Sequence, residues 1–332
     1  MTETLVRVEN LTKHFFLQKG LMSRLLKKEE EIVHAVDDVS FEIRKGDTFT
    51  LIGETGSGKT TLGKLILRLI EPTKGNIFFK GQNILSLHNE EMRRIRSDMQ
   101  IIFQDPYASL NPRKTIREIL SLPLSIHTGY SKEDKEDKVI TLLEKVGLMP
   151  AEKVMDRHPH EFSGGQRQRI VIARALILNP TFIIADEPVA SLDVSIRSQI
   201  INLLTDLKKD FSLTYLLIAH DLPVVRYMSD IVATMYLGKI VEMGRCDDYF
   251  SSPLHPYTHS LISAEPSFDP TIKRKRIKVE GEMPSPINPP NGCRFHTRCT
   301  YKLKKCEEIE PKLIEFQDGH FVSCHRSSEL NL

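Results

Sequence analysis

No stretch of this 332-residue sequence approaches the roughly 18 consecutive apolar residues that a membrane-spanning helix needs. The chain is therefore not expected to cross a bilayer by itself. Its first ten residues, MTETLVRVEN, lack the basic start and apolar stretch of a secretory signal, so a cytosolic protein is expected. Net charge is nearly absent: 46 Lys and Arg stand against 44 Asp and Glu, leaving +2. That balance by itself demands neither nucleic acid nor an acidic membrane as partner. Internal repeats, low-complexity tracts and coiled-coil heptads are missing too. Cysteine is sparse, five in all, and no two form a close C-x₂-C pair. What is present is ordinary for a globular protein: 40% hydrophobic and 27% charged residues, enough to bury a sizeable core. The length allows one large domain with a small one, or two of medium size.

Period-two alternation predicts strands over Glu3–Asn10 and over HAVDDVSFEIR (34–44). Between them QKGLMSRLLKKEEE (18–31) reads as a solvated surface hairpin. After a Lys45-Gly46 turn, DTFTLIG (47–53) reads as a buried strand and TTLGKLILRLI (60–70) as the helix that follows. Further apolar strands are expected at MQIIFQ (99–104), TFIIADE (181–187) and TYLLIAHD (214–221). SKEDKEDKVITLLEKVGL (131–148) reads as a helix with Ser131 as N-cap and Gly147 as C-cap. Strands alternating with helices imply an α/β fold around a mostly parallel sheet. Beyond Gly244 the alternation fades and prolines multiply, which places a boundary near residue 252. Domains are expected at 1–252 and 253–332, and the basic run KRKRIK (273–278) reads as a solvated linker.

Three stretches carry chemistry. GETGSGKT (53–60) fits the phosphate-loop pattern G-x-x-x-x-G-K-[ST] with a strand before it and a helix after it. Glycines let backbone N–H groups converge on phosphate oxygens without a Cβ in the way. The helix start adds its positive dipole end. Lys59 is assigned to the β- and γ-phosphates, and the Thr60 hydroxyl to Mg²⁺. In FIIADEP (182–188) an apolar strand ends in two carboxylates. Neighbouring strand side chains point opposite ways, so Asp186 is assigned to the Mg²⁺ shell and Glu187 to activating water as general base. In FSGGQRQRIVIARAL (162–176) a Ser-Gly-Gly helix start, with the helix running to about Leu178, forms a second anion site.

This set resembles the ATP-binding-cassette (ABC) family of ATPases, over about residues 5–250. FSGGQRQR is similar to the family's signature motif. Gln104 in IIFQDP matches its glutamine loop, Ser191-Leu192-Asp193 its D-loop, and His220 in IAHD its switch histidine. Phe15 in LTKHF matches the aromatic that stacks on adenine, with Phe16 beside it as the other choice. The resemblance implies a P-loop NTPase fold with a RecA-like core, an antiparallel β subdomain and a helical subdomain. It implies ATP contacts from Phe15, Gly53, Glu54, Thr55, Gly56, Ser57, Gly58, Lys59, Thr60 and Thr61. Ser163, Gly164, Gly165, Gln166 and Asp193 would reach the ATP held by a partner cassette, because two cassettes pair head to tail around two ATP molecules. Catalysis falls to Glu187, His220, Lys59 and Gln104, and Mg²⁺ binding to Thr60, Gln104 and Asp186.

DPYASLNPR (105–113), SSPLHPYTHSLISAEP (251–266) and GEMPSPINPPNGCRFHTRC (281–299) narrow the resemblance to the ATPases of oligopeptide/dipeptide importers, whose relatives serve nickel and some sugars. Val189 departs from the Thr common at that position. The partners so implied are a second ATPase subunit, a paralogue rather than an identical chain, two transmembrane permeases and, indirectly, an extracytoplasmic binding protein. Nucleic acid is not among them. The location implied is the cytoplasmic face of the membrane. A soluble, permease-free ABC ATPase is the other class of function.

The spacing Cys293-x₅-Cys299-x₆-Cys306-x₁₇-Cys324 supplies four thiolates, enough for a [4Fe–4S] cluster. Structural zinc prefers close pairs, although His296, His320 and His325 keep a mixed ligand set open, and plain thiols or disulfides remain a third reading. The resemblance favours iron–sulfur, since some importer ATPases with cysteines placed like these bind such a cluster. Cys246, in a turn-like GRCDD, stands apart.

Overall fold

The computed structural model describes residues 3–17, 31–264, 279 and 281–330. The expected linker at 273–278, and the expected hairpin at 18–31 apart from Glu31, lie outside them. Along the chain run β1 (Thr4–Phe16), β2 (Ile32–Arg44), β3 (Thr48–Ile52), α1 (Lys59–Ile66), β4 (Lys74–Phe79), β5 (Gln82–Asn83), α2 (Asn89–Asp98) and β6 (Met99–Ile102). Then come α3 (Ile116–His127), α4 (Lys132–Lys145), α5 (Gly164–Leu176), β7 (Phe182–Asp186), α6 (Val194–Asp210) and β8 (Thr214–Ile218). The last group is α7 (Leu222–Met228), β9 (Ile231–Tyr236), β10 (Lys239–Arg245), α8 (Cys246–Ser251), α9 (Pro256–Ser263), α10 (Lys304–Glu308), β11 (Ile314–Gln317) and β12 (His320–Val322).

The chain forms two compact units. The first comprises Met1–Glu3, Arg44–Thr48 and Ser86–Ile218. Its strands lie in the order β8-β7-β6, all parallel, with Met99 opposite Phe182 and Phe182 opposite Thr214. Every residue of β7 and β8 is buried, which is why both read as unbroken apolar runs rather than alternating ones. Helix α4 forms where its pattern predicts. Ser131 Oγ accepts from the Asp134 N–H at 3.1 Å, and the Asp134 carboxylate accepts from the Ser131 N–H at 3.2 Å. Removing such a cap costs about 1 kcal/mol. Val139, Leu142 and Leu143 bury its inner face. Val146 is the C-cap and Gly147 follows with φ +75°. Arg169 of α5 donates to the Val146 carbonyl at 2.6 Å and covers that end.

The second unit comprises Thr4–Ile43, Phe49–Leu85 and Ala219–Leu332. It holds a four-stranded sheet in the order β2-β1-β4-β5, in which β1–β4 and β4–β5 are antiparallel. It also holds the order β11-β12-β10-β9-β3, in which β3–β9 is parallel and the other pairs antiparallel. Helix α1 is shorter than predicted. Arg68 turns to φ +48°, the Leu69 N–H reaches the Lys64 carbonyl at 2.9 Å, and the Arg68 N–H reaches Leu65 at 2.8 Å. That left-handed closure stops the helix although no glycine marks it. β11 and β12 fall where proline had suggested irregular chain. Cys246 opens a helix with 7% of its surface exposed, so the turn expected there is corrected.

Candidate functional site

The phosphate-loop sequence lies between β3 and α1 in the second unit. Its glycines take φ +146° (Gly53), +85° (Gly56) and +108° (Gly58). A Cβ on Gly53 would sit 2.3 Å from the Met235 carbonyl oxygen, and one on Gly58 would sit 2.2 Å from that of Ala35. Only glycine fits either place. Lys59, 7% exposed, donates from Nζ to the carbonyls of Gly53 at 2.7 Å and Glu54 at 2.9 Å. The lysine therefore folds back over its own loop. Ser57 is buried, while Thr55 and Thr60 are exposed. Phe15 is 38% and Phe16 58% exposed, and the Lys13 ammonium lies 4.9 Å from the Phe15 ring centre. Both rings are open to a stacking partner. His220, also exposed, follows Ala219, whose N–H bonds to the Leu51 carbonyl at 3.1 Å.

The first unit carries the other assigned residues. Asp186 ends β7 with 6% exposure. Glu187 follows at φ +47°, a backbone region costly for a residue with a Cβ. Its N–H is fixed to the Ile218 carbonyl at 2.9 Å. Its carboxylate accepts from Gln104 Nε2 at 3.0 Å, so the glutamine loop and the assigned base are in direct contact.

Ser163 caps α5: its Oγ accepts from the Gln166 N–H at 3.3 Å, and Gln166 Oε1 accepts from the Ser163 N–H at 3.0 Å. A Cβ on Gly165 would lie 2.6 Å from Ile196 Cγ2 on α6, the helix that follows the D-loop, with Asp193 as its N-cap. Two further residues of α5 reach the segment after Gln104. The Arg167 guanidinium lies 3.9 Å from the Tyr107 ring centre, and Arg174 donates to the Ser109 carbonyl. Composition alone gave no sign of these ties.

In the second unit, Cys293, Cys299, Cys306 and Cys324 line one pocket together with His255, His296 and His325. All are free thiols. Burial pushes the Cys293 thiol up to about 12 and that of Cys324 up to about 11, and it raises Cys299 as well. Backbone N–H groups nonetheless point at each sulfur: Phe295 at Cys293, Tyr301 at Cys299, Leu303 at Cys306 (3.5 Å) and Arg326 at Cys324 (3.4 Å). Among the described residues no three of these sulfurs gather within 4.8 Å of one another. Tetrahedral zinc at about 2.3 Å from each sulfur would need separations of roughly 3.8 Å.

Sequence reasoning missed how the residues after 252 meet the phosphate loop. Arg298 pairs with the Glu54 carboxylate, and the Glu54 N–H donates to the Tyr257 hydroxyl oxygen. Arg294, 8% exposed, donates to Asp37 and to the Leu237 carbonyl. Burial alone would raise Asp37, but the His34 hydrogen bond and the Arg294 guanidinium hold it down at about 2. A basic residue before a cysteine carries no sign of a partner 244 positions away.

Comparison with known proteins bears on the family of the chain. The family model described as ABC transporter matches residues 36–190, and that described as oligopeptide/dipeptide transporter, C-terminal region, matches 241–306. The oligopeptide transport ATP-binding protein AppF of Bacillus subtilis is 49% identical, over 97% of each chain. The dipeptide transport ATP-binding proteins DppF of Haemophilus influenzae and Escherichia coli are 47% and 44% identical, over 96% and 98% of this chain and 96% and 95% of theirs. A solved dimeric ATP-binding cassette, MJ0796, in a post-hydrolysis state with ADP and Pi, is 29% identical at a TM-score of 0.63, over 73% of this chain and 99% of that one.

Proposed function

The chain belongs to the ABC transporter family and carries the family's oligopeptide/dipeptide C-terminal region; it binds and hydrolyses ATP, and we propose that it does so as the energy-coupling subunit of an oligopeptide or dipeptide importer. The observation that carries this reading is the near-complete overlap with peptide-transport ATP-binding proteins, at 44–49% identity.

In the mechanism we propose, Phe15 stacks on adenine and the loop from Gly53 to Thr61 wraps the phosphates, with Lys59 transferring its ammonium from loop carbonyls to phosphate oxygens. Glu187 takes the proton of the attacking water, held in aim by Gln104, and His220 contacts the γ-phosphate. Mg²⁺ accompanying ATP would be held by Thr60, Gln104 and Asp186, all oxygen donors of the kind it prefers, and would neutralise the phosphate charge. A second cassette, a paralogue in our reading, supplies the Ser163–Gln166 helix start and Asp193 across the dimer. Two permeases receive the resulting motion, and a binding protein outside the membrane delivers substrate. The permeases would hold the chain at the cytoplasmic face of the membrane; among the described residues no helix is long and apolar enough to cross a membrane. We retain a division into a nucleotide-binding domain, 1–252, and an extension, 253–332.

The experiment is reconstitution of the purified complex in vesicles, with ATP turnover followed as candidate substrates are added with their binding protein. Stimulation by short peptides supports the reading. Stimulation by nickel or sugars alone moves the chain to a related importer. Partner-independent turnover, with no permease co-purifying, makes it a soluble ATPase.

A second reading concerns the extension. We propose that Cys293, Cys299, Cys306 and Cys324 hold a [4Fe–4S] cluster. Support comes from their shared pocket and from the backbone N–H groups aimed at all four sulfurs, which offset part of the cost of burying thiolate charge. The cluster would act as a structural cross-link. Anaerobic purification followed by iron, sulfide and zinc assay decides it: about four irons and four sulfides per chain support the cluster, and one zinc or no metal removes it.

A further inference from the structure

We propose that Arg298 and Tyr257 of the C-terminal extension are positioning residues for ATP, holding Glu54 and through it the shape and charge of the phosphate loop. This rests on the reading of that loop as the ATP site.

Arg298 Nη1 lies 3.0 Å from each carboxylate oxygen of Glu54. The arginine side chain is 9% exposed and that of Glu54 33%, so water screens this pair less than a surface one. The Glu54 N–H donates to Tyr257 Oη at 2.9 Å. Tyr257 is fully buried, with its ring 4.7 Å from Tyr236 and 5.3 Å from Phe295. Met283 Cε lies 3.2 Å from where a Cβ on Gly56 would stand. Three separate parts of the extension therefore lie against Glu54 and Gly56 of the loop. The Glu54 carbonyl meanwhile accepts from Lys59 Nζ, so the held residue also places the phosphate-binding lysine.

Two physical consequences follow. A loop with three left-handed glycines has large conformational freedom, and any time it spends in other shapes lowers apparent affinity in proportion. Holding Glu54 at both its side chain and its backbone removes that loss before ATP arrives. The second consequence is electrostatic. Glu54 is a carboxylate inside a loop that receives several negative charges, and Arg298 cancels it. Loss of Arg298 should therefore do more harm than loss of the Glu54 charge, and removing both should be milder than removing Arg298 alone. A purely structural pair would not give that order.

The test uses the purified complex carrying the full-length chain, reading ATP turnover and binding of a fluorescent ATP analogue. Arg298→Ala should raise the KM for ATP about tenfold, and Glu54→Gln and Tyr257→Phe about threefold, all with kcat within about twofold, because loop shape affects bound substrate and transition state alike. The Arg298→Ala/Glu54→Gln double variant should return to the Glu54→Gln value. Unchanged KM in the three single variants, or an additive double, overturns the proposal. If Arg298→Ala fails to fold, Glu54→Gln and Tyr257→Phe decide alone, since neither removes bulk from the core. Absence of analogue binding by the unaltered chain would instead refute the ATP-site reading, which separates the two failures.

Discussion

Gln104 and Glu187, 83 residues apart, meet side chain to side chain at 3.0 Å. The contact joins a loop leaving β6 to a residue just past β7, in a backbone conformation that glutamate rarely adopts (φ +47°). Strain of this kind persists only where surrounding bonds impose it. Here the Glu187 N–H is fixed to Ile218 and its carbonyl accepts from Ala190 at 3.2 Å. The carboxylate is thus set by backbone on one side and by Gln104 on the other.

Glu187→Gln should keep nucleotide affinity within about twofold and lower turnover at least a hundredfold, the lower range for losing a positioned general base. Phosphate release and analogue binding measured on one preparation check this. Turnover near normal would mean another group takes the proton.

Gln104→Ala should slow turnover about tenfold through lost aim, while the urea midpoint stays within the ±0.5 kcal/mol expected of an exposed residue. A large stability loss would mean the glutamine is structural.

Gly165→Ala sets two effects against each other. Helix propensity favours alanine by about 1 kcal/mol, but the new methyl would lie 2.6 Å from Ile196 Cγ2, and overpacking costs about 1–3 kcal/mol. The clash should win, giving net destabilisation that Ile196→Ala in the same chain relieves. Denaturation of the single and double variants measures both.

His255 is 1% exposed, and burial takes it from 6.5 down to about 3. The folded chain keeps it neutral, while the unfolded chain takes a proton below 6.5, so this group lowers stability as pH falls from 6.5 towards 3. By pH 5 the loss is on the order of 2 kcal/mol. His255→Asn retains an N-cap acceptor for the Tyr257 N–H, which His255 Nδ1 now binds at 3.1 Å, and cannot titrate. Its urea midpoint should fall less between pH 7 and pH 5 than that of the unaltered chain.

The elements legible from sequence are those whose chemistry is local. The Gly53–Thr60 loop, the β7 run ending in Asp186, the Ser163 helix start and the Ser131 cap each state their structure within a few neighbouring residues. Fold class followed from the ordered set. Elements closed by distant partners were not legible. The left-handed Arg68 that ends α1 has no glycine to announce it. β12 forms because β10 offers it an edge, with Glu242 opposite Val322. Gly165 reads as a flexible helix start until Ile196 is seen against it. Arg298 looks like one more basic residue in a basic tail.

That last residue bears on how the protein is made. Glu54 leaves the ribosome 244 residues before Arg298, an interval of roughly 12–50 s at bacterial to eukaryotic elongation rates of about 20 to 5 residues per second. For that time the nascent chain displays a complete phosphate-loop sequence without the arginine, and for the first 203 residues of it without the tyrosine as well. The nucleotide site matures from the far end of the message, after the rest of its own β-α-β frame has been synthesised.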